Sequence, residues 1–367
     1  MTIEKRGKNH WRITVMHKGE IHRTTFEGNK TEAKKANDEF AVLVRKGLAI
    51  GNGMNLNSFV EVFRENKYPY LAPKTIVDYD RQFNKRIIPA LGKYKLDEIG
   101  VAELKRYYRQ LAEDGVGDRT VKKNHQILSS MYTEAMFLGY VAANPCKRLP
   151  APKYRRARND NFLTAAEANE LMAALGKEKL HWTMPAYIAL FTGARIGEIC
   201  GLTWNEVDLD NREISIVRTR QRVAGLGLIE KEPKTEGSYR TIPFSKALER
   251  RLQLWRTKQN QNRLKMGKKY RVTDYVVTYE SGIPIDPQAC GMWFRKFMER
   301  SHLKKVTLHG LRHTYATLLL HSGRMPDYAI SGNLGHSDPT THKRIYTHEI
   351  QESNRIAADY LDEIISK

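Results

Sequence analysis

The residues best suited to chemistry lie near the C-terminus, in the stretch VTLHGLRHTYATLLLHSGRMPDYAISGNLGHSDPTTHKRIYTHE (residues 306–349). It holds His309, Arg312, His313, His336 and Tyr346. Arginine stays charged and forks onto phosphate oxygens. Histidine donates to an anion and moves a proton near neutral pH. Tyrosine acts as a covalent nucleophile when an electrophilic centre is set against it. Together they suggest attack of a tyrosine on a phosphodiester. The developing charge would be held by preorganised donors, each worth about 2.7–4 kcal/mol of transition-state stabilisation. Taken singly, the residues say less. A lone His is more often a helix-surface or core group, and one Tyr among 18 carries almost no weight. Metal binding is a rival, because His309 and His313 lie four apart on a helix. The zinc-protease pattern needs Glu directly after its first His. Gly310 stands there, so no metal is expected.

The elements that must position these groups follow from periodicity. Leu308, Leu311, Tyr315, Leu318 and Leu319 recur at helical spacing, with Thr307 as N-cap and Gly323 as stop. His309 and Arg312, three apart, are expected to share one face and project together. His336 follows in a tight Leu334-Gly335-His336 turn, and Tyr346 comes ten residues later. Upstream, the apolar run 182–191 predicts a helix ending at Thr192-Gly193, followed by Ala194-Arg195-Ile-Gly-Glu198. Arg195 and Glu198 are expected on one helix face, as an exposed pair worth about 0.2–0.5 kcal/mol. Ile214 and Ile216 start a strand system that continues through 226–229 and 240–244. Lys234 falls in the turn before the last strand. A lysine at a hairpin tip can enter a DNA groove and offer a proton, although a solvated turn residue is the commoner case.

Composition narrows the partner. The 367 residues carry 62 Lys and Arg against 41 Asp and Glu, a formal charge of +21 spread along the chain. Such an excess favours a polyanion, above all nucleic acid, over an acidic membrane surface. No apolar run reaches 18 residues, and MTIEKRGKNHW is not a signal peptide. Cys146, Cys200 and Cys290 are too few and too scattered for a disulfide framework, which fits a reducing, cytoplasmic and nucleoid-associated setting. No phosphate-binding loop is present, so neither ATP nor any other cofactor is expected.

The chain divides by texture. Residues 1–52 read as two short strands, 11–15 and 21–26, with a helix over 31–46 starting at Thr31. Arg12, Lys18 and Arg23 make this a small basic sheet suited to a DNA groove. Residues 55–150 read as a helical domain in which Lys74, Arg81, Lys122 and Lys123 are candidate phosphate contacts. Residues 151–162, with Arg155 and Arg156, have the composition of a basic linker. A second, mainly helical domain spans 163–350, where Thr164 and Glu167 form a capping box. The end, 351–367, reads as an amphipathic helix.

Through these residues the chain resembles the tyrosine recombinase (phage integrase) family. Thr192-Gly-Ala-Arg195-Ile-Gly-Glu198 looks like the family's first box. Lys234-Thr235 with Ser238-x-Arg240 looks like its β-hairpin lysine motif. His309-Gly-Leu-Arg312-His313, Leu334-Gly-His336-Ser337 and Tyr346-Thr-His348 look like the remaining boxes. The resemblance implies a multidomain, mainly α fold with small β-sheets. It would comprise an arm-type DNA-binding domain, a core-binding domain, a catalytic domain and a C-terminal helix for trans packing. It implies Tyr346 as nucleophile, Arg195 and Arg312 as phosphate clamps, His309 and His336 as donors and Lys234 as general acid. Glu198 and His313 would be supporting residues. Implied partners are double-stranded attachment sites, three further copies in a tetramer on DNA, an excisionase and a host DNA-bending protein. A type IB-like topoisomerase and a non-catalytic DNA-binding protein are the rivals, and an RNA-binding protein is a weaker one.

Overall fold

The alternating strands and amphipathic helices form the elements that the pattern predicts, with additions where polar residues hid them. The computed structural model describes residues 2–7, 9–17, 20–45, 53–151, 161–232, 239–323 and 326–335. Lys18, Arg155, Arg156, Lys234, His336, Tyr346 and the segment 351–367 lie outside the described residues, as does the Arg23 side chain. The chain divides into two compact units, Met1–Ala157 and Arg158–Lys367.

The first unit opens with an antiparallel sheet of β1 (Thr2–Gly7), β2 (His10–His17) and β3 (Glu20–Glu27). Two strands were expected here, and there are three. β1, TIEKRG, is an exposed edge strand, so it carries no apolar alternation. Helix α1 (Lys30–Arg45) covers the sheet and buries Ile13, Val15, Phe40 and Ala41. Its start is set by Asn29 rather than Thr31. The Asn29 side chain accepts from the Thr31 and Glu32 amides, and Glu32 accepts in turn from the Asn29 amide.

The helical part of this unit contains α2 (Leu56–Lys67), α3 (Pro73–Gln82), α4 (Ile88–Leu91), α5 (Val101–Glu113) and α6 (Asp118–Phe137). A π-helical turn, Phe83–Ile87, joins α3 to α4. Phe59, Phe63, Phe83, Leu104, Met131 and Tyr132 form the centre of its core. A buried polar chain runs through it: Tyr107 donates to Asn124, which donates to Gln82.

The second unit is built around α8 (Leu180–Thr192), which is buried on nearly every side. A helix that is apolar all round has to be central. Around it lie α7 (Ala165–Leu175), α9 (Ile196–Gly201), α10 (Lys246–Met266), α11 (Pro287–Arg300) and α12 (Leu308–His321). The Thr164–Glu167 capping box forms as expected. The expected single strand system resolves into two sheets. One pairs β4 (Val207–Asp208), β5 (Glu213–Ile216) and β8 (Arg240–Pro243). The other pairs β6 (Thr219–Val223) with β7 (Gly227–Lys231). A final helix, α13 (Asp327–Leu334), lays Ile330 and Leu334 on Ala316 of α12. Full burial of Leu334 contributes about 1.5–3 kcal/mol to that docking.

Candidate active site

Four local structures converge on one turn. The first is the end of α8. Gly193 closes that helix in the left-handed conformation (φ 67°), which frees its carbonyl to face α12. The second is the start of α9. Arg195 is the N-cap of α9, in extended backbone, and Glu198 reaches back to accept from the Arg195 amide at 2.8 Å. The third is β8, whose first residue is Arg240. The fourth is α12, capped by Thr307, whose side chain accepts from the Gly310 amide.

Arg312 leaves α12 inward. It is 3% exposed. Its Nη1 donates to the Gly193 carbonyl at 2.8 Å and its Nη2 to the Leu334 carbonyl at 2.6 Å. His309 and Arg312 lie close enough for the Arg312 charge to act on the imidazole, but they differ in exposure. Two backbone carbonyls draw the long guanidinium chain into the protein, while His309 keeps an exposed edge. The His309 and His313 rings meet edge to face with centroids 4.7 Å apart. Surrounding protein desolvates His309, and Arg312 and Arg195 add positive charge beside it, so its pKa lies below the ordinary histidine range. Among the described residues, no three His, Cys, Asp or Glu side chains converge as metal ligands.

Glu198 is a correction. The exposed Arg195–Glu198 pair expected on a helix surface is instead built around a carboxylate only 6% exposed. Glu198 accepts from Arg195 Nη1 at 2.9 Å and, in a fork, from Arg240 Nη1 at 3.2 Å and Nη2 at 2.7 Å. Burial alone would raise its pKa. The bond and charge of Arg240, then those of Arg195, outweigh burial and hold the carboxyl below the usual range. The Arg195 side chain remains 40% exposed, and that of Arg240 only 7%.

Three arginines therefore meet the C-terminus of α13, whose last carbonyls carry partial negative charge. Arg240 Nε donates to the Asn333 carbonyl at 2.7 Å. Arg312 donates to Leu334. Arg195 Nη2 donates to Gly335 at 3.1 Å. Gly335 closes the helix at φ 61°, and a Cβ there would sit 2.9 Å from Arg240 Nη1. Tyr315 of α12 accepts from Asn333 Nδ2 at 3.0 Å, which fixes the same turn from below. Sequence reasoning missed Arg240 as a site residue. The signal was available, because Arg240 shares the inward parity of Ile242 and Phe244. A charge at an inward strand position needs a buried partner.

The candidate DNA contacts fare unevenly. Lys74 is exposed on α3. Arg81 and Lys123 both bond Asp78, at 2.8 and 2.7 Å. Lys122 is half-buried on α6. Arg12 is half-buried on β2 and lines a cavity of about 650 Å³ with Asp97, Tyr140 and Arg148.

Similarity to known proteins fixes the class to which this geometry belongs. Residues 161–353 match the phage integrase family, and residues 55–112 match the N-terminal SAM-like domain of phage integrases. The chain belongs to the phage integrase family of tyrosine-type site-specific recombinases. A XerC-like tyrosine recombinase from Caldanaerobacter subterraneus subsp. tengcongensis is 29% identical over 388 residues, covering 98% of this chain and 97% of the relative. The ICEBs1 integrase of Bacillus subtilis is 26% identical, covering 77% of this chain and 76% of its own. Among solved structures, the Tn1549 transposon integrase in complex with transposon right end DNA superposes with a TM-score of 0.71. It has 21% identity and covers 84% of this chain and 99% of its own. A lambda integrase tetramer bound to a Holliday junction gives a TM-score of 0.60 at 18% identity, covering 94% of each chain. These likenesses carry the expected fold class.

Proposed function

We propose that this recombinase integrates and excises a mobile element through a 3′-phosphotyrosyl intermediate. The observation that carries the reading is the meeting of Arg195 and Arg312 at one turn, although they stand 140 and 22 positions from their acceptors there. Two guanidinium groups anchored on adjacent carbonyls suit the two non-bridging oxygens of a phosphodiester. Tyr346 attacks the phosphorus while the bond to the 5′ oxygen breaks. His309, neutral because of its surroundings, accepts the tyrosine proton, and Lys234 supplies a proton to the departing 5′-hydroxyl. His336 donates to the phosphate, Glu198 holds Arg195, and His313 supports His309. The phosphotyrosyl link keeps the energy of the phosphodiester, so rejoining needs no nucleotide.

In this reading, 1–52 binds arm-type sites and 55–150 binds the core site, with Lys74, Arg81, Lys122 and Lys123 meeting phosphates. Arm contacts come from Arg12, Lys18 and Arg23, and linker contacts from Arg155 and Arg156. Four protomers join two duplexes through a Holliday junction, with 351–367 packing in trans. An excisionase and a host DNA-bending protein set direction, and the work is done at the nucleoid. Nicked suicide duplexes from the DNA flanking the gene test the chemistry. Wild type gives a covalent protein–DNA band on one short sequence, and Tyr346→Phe gives none. A Tyr346-dependent band on every duplex means a topoisomerase. No band despite tight binding, even with cell extract added, means a non-catalytic binder.

A further inference from the structure

Arg240 holds one acceptor of the Arg195 guanidinium, the Glu198 carboxylate, and the turn that carries the other. Arg195 rests on Glu198 Oε1 and on the Gly335 carbonyl. Arg240 forks onto both Glu198 oxygens and donates to the Asn333 carbonyl, two residues before Gly335. From these shared anchors we propose that Arg240 is a positioning residue for the recombinase reaction. It acts through Arg195, which it never needs to touch. The inference rests on the phosphate-clamp reading above and adds a residue to it.

What Arg240 restricts is conformational freedom. Arg195 is 40% exposed, with a long side chain that loses rotamer entropy when fixed. The Glu198 carboxylate has one oxygen on the Arg195 amide and the Gly335 carbonyl ends a helix, so without further contacts the carboxylate plane could still turn about that bond and the helix end could fray. Arg240 removes both freedoms. Its planar fork locks the Glu198 carboxylate plane, and its Nε locks the 333–335 turn. Arg240 is itself held firmly, since its side chain is only 7% exposed and it stands at the start of a strand paired to β5. Arg312 pins the middle carbonyl, Leu334, so the turn is held at three successive residues. Lysine at 240 would keep the charge but lose the fork, since a single ammonium cannot lock the carboxylate plane and reach Asn333 with the same geometry.

Arg240→Lys in the full-length protein separates positioning from folding. We expect DNA affinity to stay near wild type and the thermal transition to fall by only a few degrees with the lost fork, while adduct formation at saturating protein slows ~10–100-fold, the cost of a misplaced reacting group. A rate within about threefold of wild type overturns the proposal, as does a parallel loss of affinity, thermal stability and rate. A second measurement needs no activity. Phenylglyoxal labelling of Arg195, read by peptide mass mapping without DNA, should speed up severalfold in Arg240→Lys. Unchanged labelling overturns the proposal. If wild type forms no Tyr346-dependent adduct on any duplex, the recombinase reading fails instead, and the labelling result still decides whether Arg240 restrains Arg195.

Discussion

Replacing Glu198 by Gln removes one charge from a buried cluster and keeps its shape. The side chains of Glu198 and Arg240 are each 7% exposed, so water cannot compensate Arg240 when its partner is neutralised. Breaking such a buried pair costs about 3–5 kcal/mol. Glutamine keeps one acceptor oxygen, which places the variant near the lower end. The Arg195 contribution is screened, because that side chain is 40% exposed, and it adds no more than about 1 kcal/mol. A loss of about 3 kcal/mol lowers Tm by roughly 6–12 °C for a unit of this size. Circular dichroism melts of full-length protein would read it. Acid gives a second handle. The folded pKa of Glu198 is depressed, so its contribution is present above the ordinary carboxylate value of about 4.3 and is lost as pH falls through the lower folded value. Wild-type and Glu198→Gln melting curves should therefore converge on acidification. The double variant Glu198→Gln with Arg240→Met removes both charges and should recover much of the loss. A drop in Tm under about 2 °C, or a double variant no better than the single one, would show that the buried charge pair does not govern stability here.

Further expectations follow from the same site. Thr314→Val keeps volume but strips the hydroxyl that accepts from the buried Leu163 amide at 3.0 Å, and should cost about 1–3 kcal/mol in denaturant melts; an unchanged midpoint would count against it. Gly193→Ala forces a side chain into left-handed backbone and 2.6 Å from the Tyr315 ring, so it should weaken both folding and adduct formation, and wild-type behaviour in both would be the contrary result. The His309 imidazole, followed by NMR in the free protein, should titrate below about 6.5. Between that value and the lower folded one the unfolded chain holds more protons, so His309 costs stability as the medium acidifies. A midpoint at or above 6.5 would show that its desolvation and the two nearby arginines do not govern it.

The helices were legible because their signals are local. Thr307, Thr164 and the Gly193 stop sit where capping chemistry demands. Strand β1 was not legible, because an exposed edge strand of charged residues has no buried face to betray it. Strand β6 was missed for a related reason: TRQRV buries positions 220 and 223 without a period-two pattern, and the residue at 220 is an arginine, not an apolar one. At the site, residue types were readable and directions were not. The inward turn of Arg312 depends on carbonyls 119 positions upstream and 22 downstream, which no local pattern encodes. Glu198 looked like half of a surface pair because Arg240, its stronger partner, is 42 residues away.

The short segment before α7 bears on where the second unit can be cut. Asn161 Oδ1 accepts from the Thr307 amide at 3.0 Å, and Asn161 Nδ2 donates to the Thr307 hydroxyl, 146 positions downstream. Two residues later, Leu163 fastens to Thr314. A fragment beginning at Thr164 would retain the whole of α7 and its capping box. It would still strip the first turn of α12 of its outer hydrogen bonds and leave a gap against Gly310, where a Cβ would clash with Asn161 Oδ1. The N-terminal margin of the domain is thus a strap around the helix that carries His309 and Arg312, and a recombinantly isolated domain has to begin no later than Asn161 to be the same object.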